Sequence, residues 1–215
     1  MQPQEKKSSL HGHWSQYRCP TGGFGRMIAA NMNKGHWDLT TWGLRHVCFK
    51  SDFVILDVGC GGGKTISRLA RRAVHGKVYG IDLSADMIDY SKQVNNKLIA
   101  TNRTQIVQSS VEKTGFEDEF FDLVTAVETY YFWPDLELAF REIKRILKNG
   151  GSLLIISEMI KDGVYEVENA ALIAKTQVQL VPLQEMQKML FSAGFNNVTV
   201  YRKGKSSWNA VLAQK

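Results

Sequence analysis

Cysteine, uninterrupted apolar runs and excess charge of one sign are all scarce in most of this chain, and each scarcity closes a class of explanation. Three cysteines in 215 residues, Cys19, Cys48 and Cys60, are too few and too scattered for a disulfide framework or a structural zinc site; they read as free thiols, and no metal site is expected. No run approaches the roughly 18 uninterrupted apolar residues of a membrane span. The polar start, residues 1–9, lacks the apolar region of a signal peptide, so a cytoplasmic protein is expected. Internal repeats and low-complexity tracts are missing too. What is present is 44% hydrophobic residues, enough for one substantial core. The charge is local: the first fifty residues hold 7 Lys/Arg against 2 Asp/Glu, whereas the remaining 165 are nearly balanced at 20 against 19. The natural division is an N-terminal extension, 1–50, followed by one domain, 51–215.

The densest information lies in Val54-Ile55-Leu56-Asp57-Val58-Gly59-Cys60-Gly61-Gly62-Gly63-Lys64-Thr65, an apolar strand with an acidic residue near its end and then a glycine-dense turn. Such a turn brings backbone N–H groups close to a ligand as no chain with Cβ atoms throughout could. Three nucleotide-type readings compete. A phosphate-cradling P-loop requires glycine five positions before Gly63-Lys64-Thr65, and that position is Val58. A dinucleotide turn counted from Gly59 places Lys64 where a glycine must allow close helix packing. An acidic residue followed by alternating glycines, Asp57, Gly59, Gly61 and Gly63, needs no repair. That pattern resembles the first motif of class I S-adenosylmethionine-dependent methyltransferases.

The second signal is Lys77-Val78-Tyr79-Gly80-Ile81-Asp82, a strand ending in a carboxylate 19 positions after Gly63, close to the spacing at which an acidic residue accepts from ribose hydroxyls. Asp82 can equally serve as a charge at a helix start, since Ser84 is a good cap for a helix beginning at Ala85. Further along come a buried strand ending at Glu128, an aromatic loop (Tyr130, Tyr131, Phe132, Trp133), an amphipathic helix with Leu136, Phe140, Ile143 and Leu147 in phase, and the stop signal Lys148-Asn149-Gly150-Gly151. Patterning predicts strands near 53–58, 78–82, 104–108, 120–127, 152–157, 197–203 and 207–213, and helices near 64–73, 85–98, 135–147 and 183–193. The result is an α/β fold with a parallel sheet and a terminal hairpin. The resemblance extends from about Phe53 to the C-terminus. Within the class it is nearest to the small-molecule group typified by ubiquinone and menaquinone C-methylases, through "SADMI" after Asp82 and "SAGF" before the last strands.

The resemblance implies a Rossmann-like seven-stranded sheet in the order 3-2-1-4-5-7-6, with strand 7 antiparallel, and S-adenosylmethionine as cofactor. By the same likeness the turn carrying Gly59, Cys60, Gly61 and Gly63 approaches the amino-acid end of the cofactor, with Asp57 near its ammonium group. Asp82 takes the ribose, and Leu83, Met87, Ser109, Ser110 and Val111 surround the adenine. Ser109 stands where an Asp is common in the family; its hydroxyl still accepts a hydrogen bond, more weakly than a carboxylate. Glu128, at the lip of the expected pocket, either binds cofactor or acts as a base; Tyr130 and His36 complete the catalytic candidates. The loop after the fourth strand lacks the paired prolines used for amide or base-nitrogen methylation, and no Pro-Cys nucleophile for cytosine C5 chemistry is present.

Between Gly25 and Lys50, Met27, Ile28, Met32, Trp37, Leu39, Trp42, Leu44 and Val47 alternate with polar residues in the manner of two short helices. In the family such helices cap the pocket, which would bring His36, Trp37, Trp42 and His46 towards an acceptor; the same segment could simply pack on the sheet. A basic, apolar-faced segment also suits a membrane surface or nucleic acid, but the net charge of +6 is modest and no RNA-binding motif accompanies it. The expected partner is therefore a small-molecule methyl acceptor and not nucleic acid, without stable membrane insertion though with peripheral contact open, for a monomer or homodimer. The rival from another class is a non-catalytic S-adenosylmethionine-binding or P-loop nucleotide-binding protein.

Overall fold

The computed structural model describes residues 18–176 and 178–215. Among them seven strands form one sheet in the order β3-β2-β1-β4-β5-β7-β6: β1 Val54–Val58, β2 Lys77–Asp82, β3 Thr104–Gln108, β4 Phe121–Val127, β5 Leu147–Ser157, β6 Asn196–Arg202 and β7 Asn209–Gln214. The first five run parallel; β7 is antiparallel to both β5 and β6. Parallel strands joined by right-handed crossovers place helices on both faces, which accounts for the near-continuous apolar strands. Alternate residues of one strand serve opposite layers. Leu56 and Val58 join a core with Phe140 and Ile143 of helix α6 (Leu136–Ile146) and Met186 and Leu190 of α8 (Leu183–Ser192). Ile55 joins a second core with Ile66 and Leu69 of α3 (Lys64–Ala70) and Ile88 of α4 (Ala85–Val94).

The N-terminal helices are α1 (Gly22–Gly35) and α2 (Trp37–Gly43), followed by a 3-10 turn at Leu44–His46. Leu39 and Leu44 belong to the second core, with Leu154, Ile156 and Ala210 of the sheet. Thus α2 is a layer of the domain's own core, while α1 lies where β1 and β2 end, with Gly22 N–H donating to Asp86 Oδ2 at 2.8 Å. No helix among the described residues is long and apolar enough to cross a membrane.

Three departures from the sequence expectation have physical causes. The helix expected over 85–98 breaks at Asn95, whose amide donates to Gly63 O at 3.0 Å and whose Oδ1 accepts from Ser67 Oγ at 2.7 Å; Asn96–Ala100 is a separate short helix, α5. The stop signal at 148–151 lies inside β5, because Lys215 N–H donates to Gly151 O and Gly150 N–H to Lys215 O, a pairing with the chain end. A helix, α7 (Tyr165–Thr176), occupies the segment between β5 and α8 in which none was expected.

Candidate functional site

The alternation of Gly59, Gly61 and Gly63 has a conformational meaning: all three lie at positive φ, 66°, 47° and 76°, where a side chain is strained. The chain thereby folds back at the end of β1 and leads directly into α3. Cys60 N–H donates to Ile81 O at 2.9 Å, joining this turn to β2. A cleft opens above the strand ends, between this turn, the end of β2, the loop after β4 and the underside of α1.

Asp82 closes one side. Its Oδ2 accepts from Gly61 N–H and its Oδ1 from Ser84 N–H, each at 2.9 Å. Burial pushes its carboxyl above the ordinary range, against the pull of backbone N–H groups at Ser84, Gly61 and Leu83. Asp57, 2% exposed, accepts from Thr125 Oγ1 at 2.8 Å; burial, helped by the charge of Asp82 and opposed by the Thr125 hydrogen bond, pushes it up to about 7. Leu83, Met87, Ser109, Ser110 and Val111 line the same end of the cleft. The Ser109 hydroxyl proton is directed to the carbonyls of Lys113 and Thr114, both at 3.1 Å, so its lone pairs are what it can offer a ligand. Gly59, Cys60, Gly61 and Gly62 line the floor. Gly63 does not: it stands behind the turn, where a Cβ would fall 2.3 Å from Ser91 Oγ, and it acts by directing the chain into α3.

The opposite side is built around Glu128. This residue is 6% exposed and has φ 55°, the left-handed region, at the end of β4. Its Oε2 accepts from Tyr131 OH at 2.7 Å and its Oε1 from Glu158 N–H at 2.5 Å. Burial first, then the neighbouring Glu158 charge, push its carboxyl up to about 7, with His36, Tyr131 and the backbone of Glu158 opposing. His36, between α1 and α2, holds Nε2 3.7 Å from Glu158 Oε1. Burial disfavours its charged form, yet the hydrogen bond to Glu158 and the charges of Glu128 and Glu158 outweigh this and raise its pKa above 6.5. One atom from each of His36, Glu128 and Glu158 lies within 4.8 Å of the others. That spacing suits sharing of a proton and would also suit a divalent cation, so the expectation of no metal meets one candidate cluster among the described residues.

The remaining sequence candidates divide. Tyr130, expected among the catalytic groups, does not line the cleft: the 3-10 turn Tyr130–Phe132 sends its ring into the core, where it is 1% exposed and lies edge-on to Tyr131 at 5.1 Å. Of the aromatic loop, Phe132 and Trp133 line the cleft. Of the N-terminal aromatics and histidines, His36 does; His46 instead stacks on Tyr201 at 3.8 Å and Trp42 packs near Trp208. Residues that no motif announced are Asn33, Arg68 and Glu158. Arg68 is a buried base whose Nη1 donates to Trp37 O at 3.0 Å and whose Nη2 donates to Thr41 Oγ1, and it lies 4.1 Å from the Trp37 ring centre. It therefore fixes α2 to α3.

A family model described as a methyltransferase domain matches residues 56–155. The chain is 34% identical over 110 residues to a ubiquinone/menaquinone biosynthesis C-methyltransferase of a Bradyrhizobium strain, covering 50% of this chain and 44% of that protein. It is 32% identical over 124 residues to a fatty-acid O-methyltransferase of Mycolicibacterium smegmatis, covering 58% and 44% respectively. The chain thus spans less than half the length of these two relatives. In fold it is similar to an S-adenosylmethionine-dependent methyltransferase from Aquifex aeolicus, at TM-score 0.70 and 23% identity over 88% of this chain and 97% of that one.

The raised pKa of Asp57 makes a stability prediction. A carboxyl that titrates near 7 when folded, against an ordinary 3.8, binds its proton more tightly in the native state, so stability from this group is full below the unfolded value and is lost as pH rises through about 7. Asp57→Asn removes that loss. By calorimetry, the melting temperature of the variant relative to the unsubstituted protein should be higher at pH 8 than at pH 5. An equal difference at both values would show that Asp57 ionises like an exposed carboxyl.

Proposed function

We propose that this chain is a class I S-adenosylmethionine-dependent methyltransferase that transfers a methyl group to a small-molecule acceptor. One observation carries the reading: three carboxylates, the buried Asp57 and Glu128 and the part-buried Asp82, face a single cleft. A polyphosphate would meet like charge there, and the Gly61 N–H it would need is already engaged by Asp82. A ligand carrying a sulfonium and an ammonium group meets complementary charge instead. This favours the methyltransferase over the P-loop reading of Gly63-Lys64-Thr65.

Bound S-adenosylmethionine supplies an electrophilic methyl group, and the protein's task is orientation and exclusion of water. Asp82 would hold the ribose hydroxyls, Leu83 and Met87 the adenine face, Ser109 its amino edge, and the floor at 59–62 the amino-acid tail, with Asp57 opposite its ammonium. The acceptor side offers Ala29, Met32, Phe132 and Trp133 as apolar walls beside the polar pair His36 and Glu128. Such a wall suits an acceptor with an apolar body and one group that gives up a proton. His36 is the proton acceptor, Glu128 stabilises the imidazolium from the buried side, and Glu158 orients the ring.

Two measurements test this. S-adenosylmethionine and S-adenosylhomocysteine should raise the melting temperature while ATP, GTP and NAD should not; at about 100 times the dissociation constant the stabilisation is roughly 2.7 kcal/mol. Asp82→Ala should lower affinity for either at least about tenfold, through loss of charge-assisted hydrogen bonds. Stabilisation by the triphosphates alone would restore the P-loop reading. Secondly, the His36 ring, followed by NMR, should titrate above 6.5 and move down in Glu158→Gln. A midpoint at or below 6.5 in the unsubstituted protein would remove the charge coupling on which the proton-acceptor role rests.

A further inference from the structure

Asn33 projects from α1 into the cleft wall, and its Nδ2 is buried with no hydrogen-bond partner among the described residues. A buried amide left in this state is destabilising, so its presence calls for a partner that arrives with a ligand. The atom it approaches is informative. A Cβ on Gly62 would fall 2.2 Å from Asn33 Nδ2, so the missing side chain at Gly62 is what lets the amide reach the floor of the cleft. Gly62 is the one glycine of residues 59–63 without a positive φ, which leaves close approach, not backbone conformation, as its reason.

The direction of the ligand follows from the other side of the cleft. With the sugar at Asp82 and the base among Leu83, Met87 and Ser109, the amino-acid tail must run the opposite way, over Gly59 to Gly62 towards Asp57. Asp57 answers the ammonium group of that tail. The carboxylate of that tail needs donors: Arg18 and Lys64 line the cleft, and Asn33 offers an N–H directly at Gly62.

The helix that carries Asn33 is fastened on both sides of it. Before it, Ser84 Oγ donates to Pro20 O at 2.5 Å and Gly22 N–H to Asp86 Oδ2. After it, Arg68 holds Trp37 and Thr41. We infer that Asn33 is a cofactor-binding residue: its amide donates to the carboxylate of the cofactor's amino-acid tail, so that occupancy of the cleft and seating of α1 are linked. This rests on the S-adenosylmethionine reading above and extends it to a residue outside the glycine turn and the strand ends. It also makes α1 part of the cofactor site.

The test uses the full chain and two ligands that share a nucleoside and a thioether. S-adenosylhomocysteine has the amino-acid tail; 5′-methylthioadenosine does not. By calorimetric titration Asn33→Ala should lower affinity for S-adenosylhomocysteine about tenfold or more and leave that for 5′-methylthioadenosine unchanged. Asn33→Asp, which opposes carboxylate to carboxylate, should lower the first further and again spare the second. S-adenosylhomocysteine should also slow amide hydrogen exchange across α1 in the unsubstituted protein and not in Asn33→Ala. Unchanged S-adenosylhomocysteine affinity in Asn33→Ala, or an equal fall for both ligands, would overturn the assignment. Tighter binding in Asn33→Asp would do so too, since it would set the side chain against the ammonium. A full chain that binds neither ligand would overturn the methyltransferase reading itself, and this inference with it.

Discussion

The arrangement of the cleft depends on one carboxylate. Asp82 accepts from Gly61 on the turn after β1 and from Ser84 at the start of α4, so a single side chain sets the distance between two neighbouring strand ends and the helix that follows the second. Ser84 in turn caps α4, accepting from Met87 N–H at 3.3 Å, and gives its own proton to Pro20 O. The entry to the N-terminal helices is thereby tied to the same carboxylate. Bonds to ionised groups are the stronger kind, and this one is largely shielded from water. A ligand hydroxyl at Asp82 would join a centre that already orders the glycine turn, α4 and the approach to α1.

The electrostatics of the site run against those of the chain. The protein carries a formal net charge of +6, yet Asp57, Asp82 and Glu128 are gathered at the cleft, and burial raises all three above their ordinary range. Such strain concentrates at functional sites. Of the basic residues, Lys148 is paired with Asp122 at 2.9 Å and Arg68 is bound to α2, while Arg18 and Lys64 line the cleft together with the carboxylates. A bound cation would add complementary charge beside Asp57, Asp82 and Glu128, and that is the physical case for a sulfonium cofactor over an anionic nucleotide.

Much of this was legible in the sequence because it is written in backbone chemistry. The glycines at 59, 61 and 63 marked a turn of left-handed residues, and the carboxylate at 82 marked a strand end; local signals of this kind require no knowledge of distant residues. Period-two and period-3.6 patterns likewise recovered all seven strands and the helices α3, α4, α6 and α8. What escaped depends on contacts between distant segments. Asn95 breaks its helix because Gly63 needs a donor, and β5 begins early because the chain end pairs with Gly150 and Gly151. Glu158, His36 and Glu128 share no motif and meet only when β4, β5 and the turn after α1 are brought together. Tyr130 shows the converse: position after a strand end suggested chemistry, and the 3-10 turn buried the ring.

A crystal structure of the full chain with S-adenosylhomocysteine tests the central claim most directly. The account predicts the ribose hydroxyls on Asp82, the adenine between Leu83 and Ser109, and the amino-acid tail over Gly59 to Gly62 with its sulfur turned towards His36 and Glu128. A ligand found with its sugar away from Asp82, or with its tail outside the turn, would contradict it.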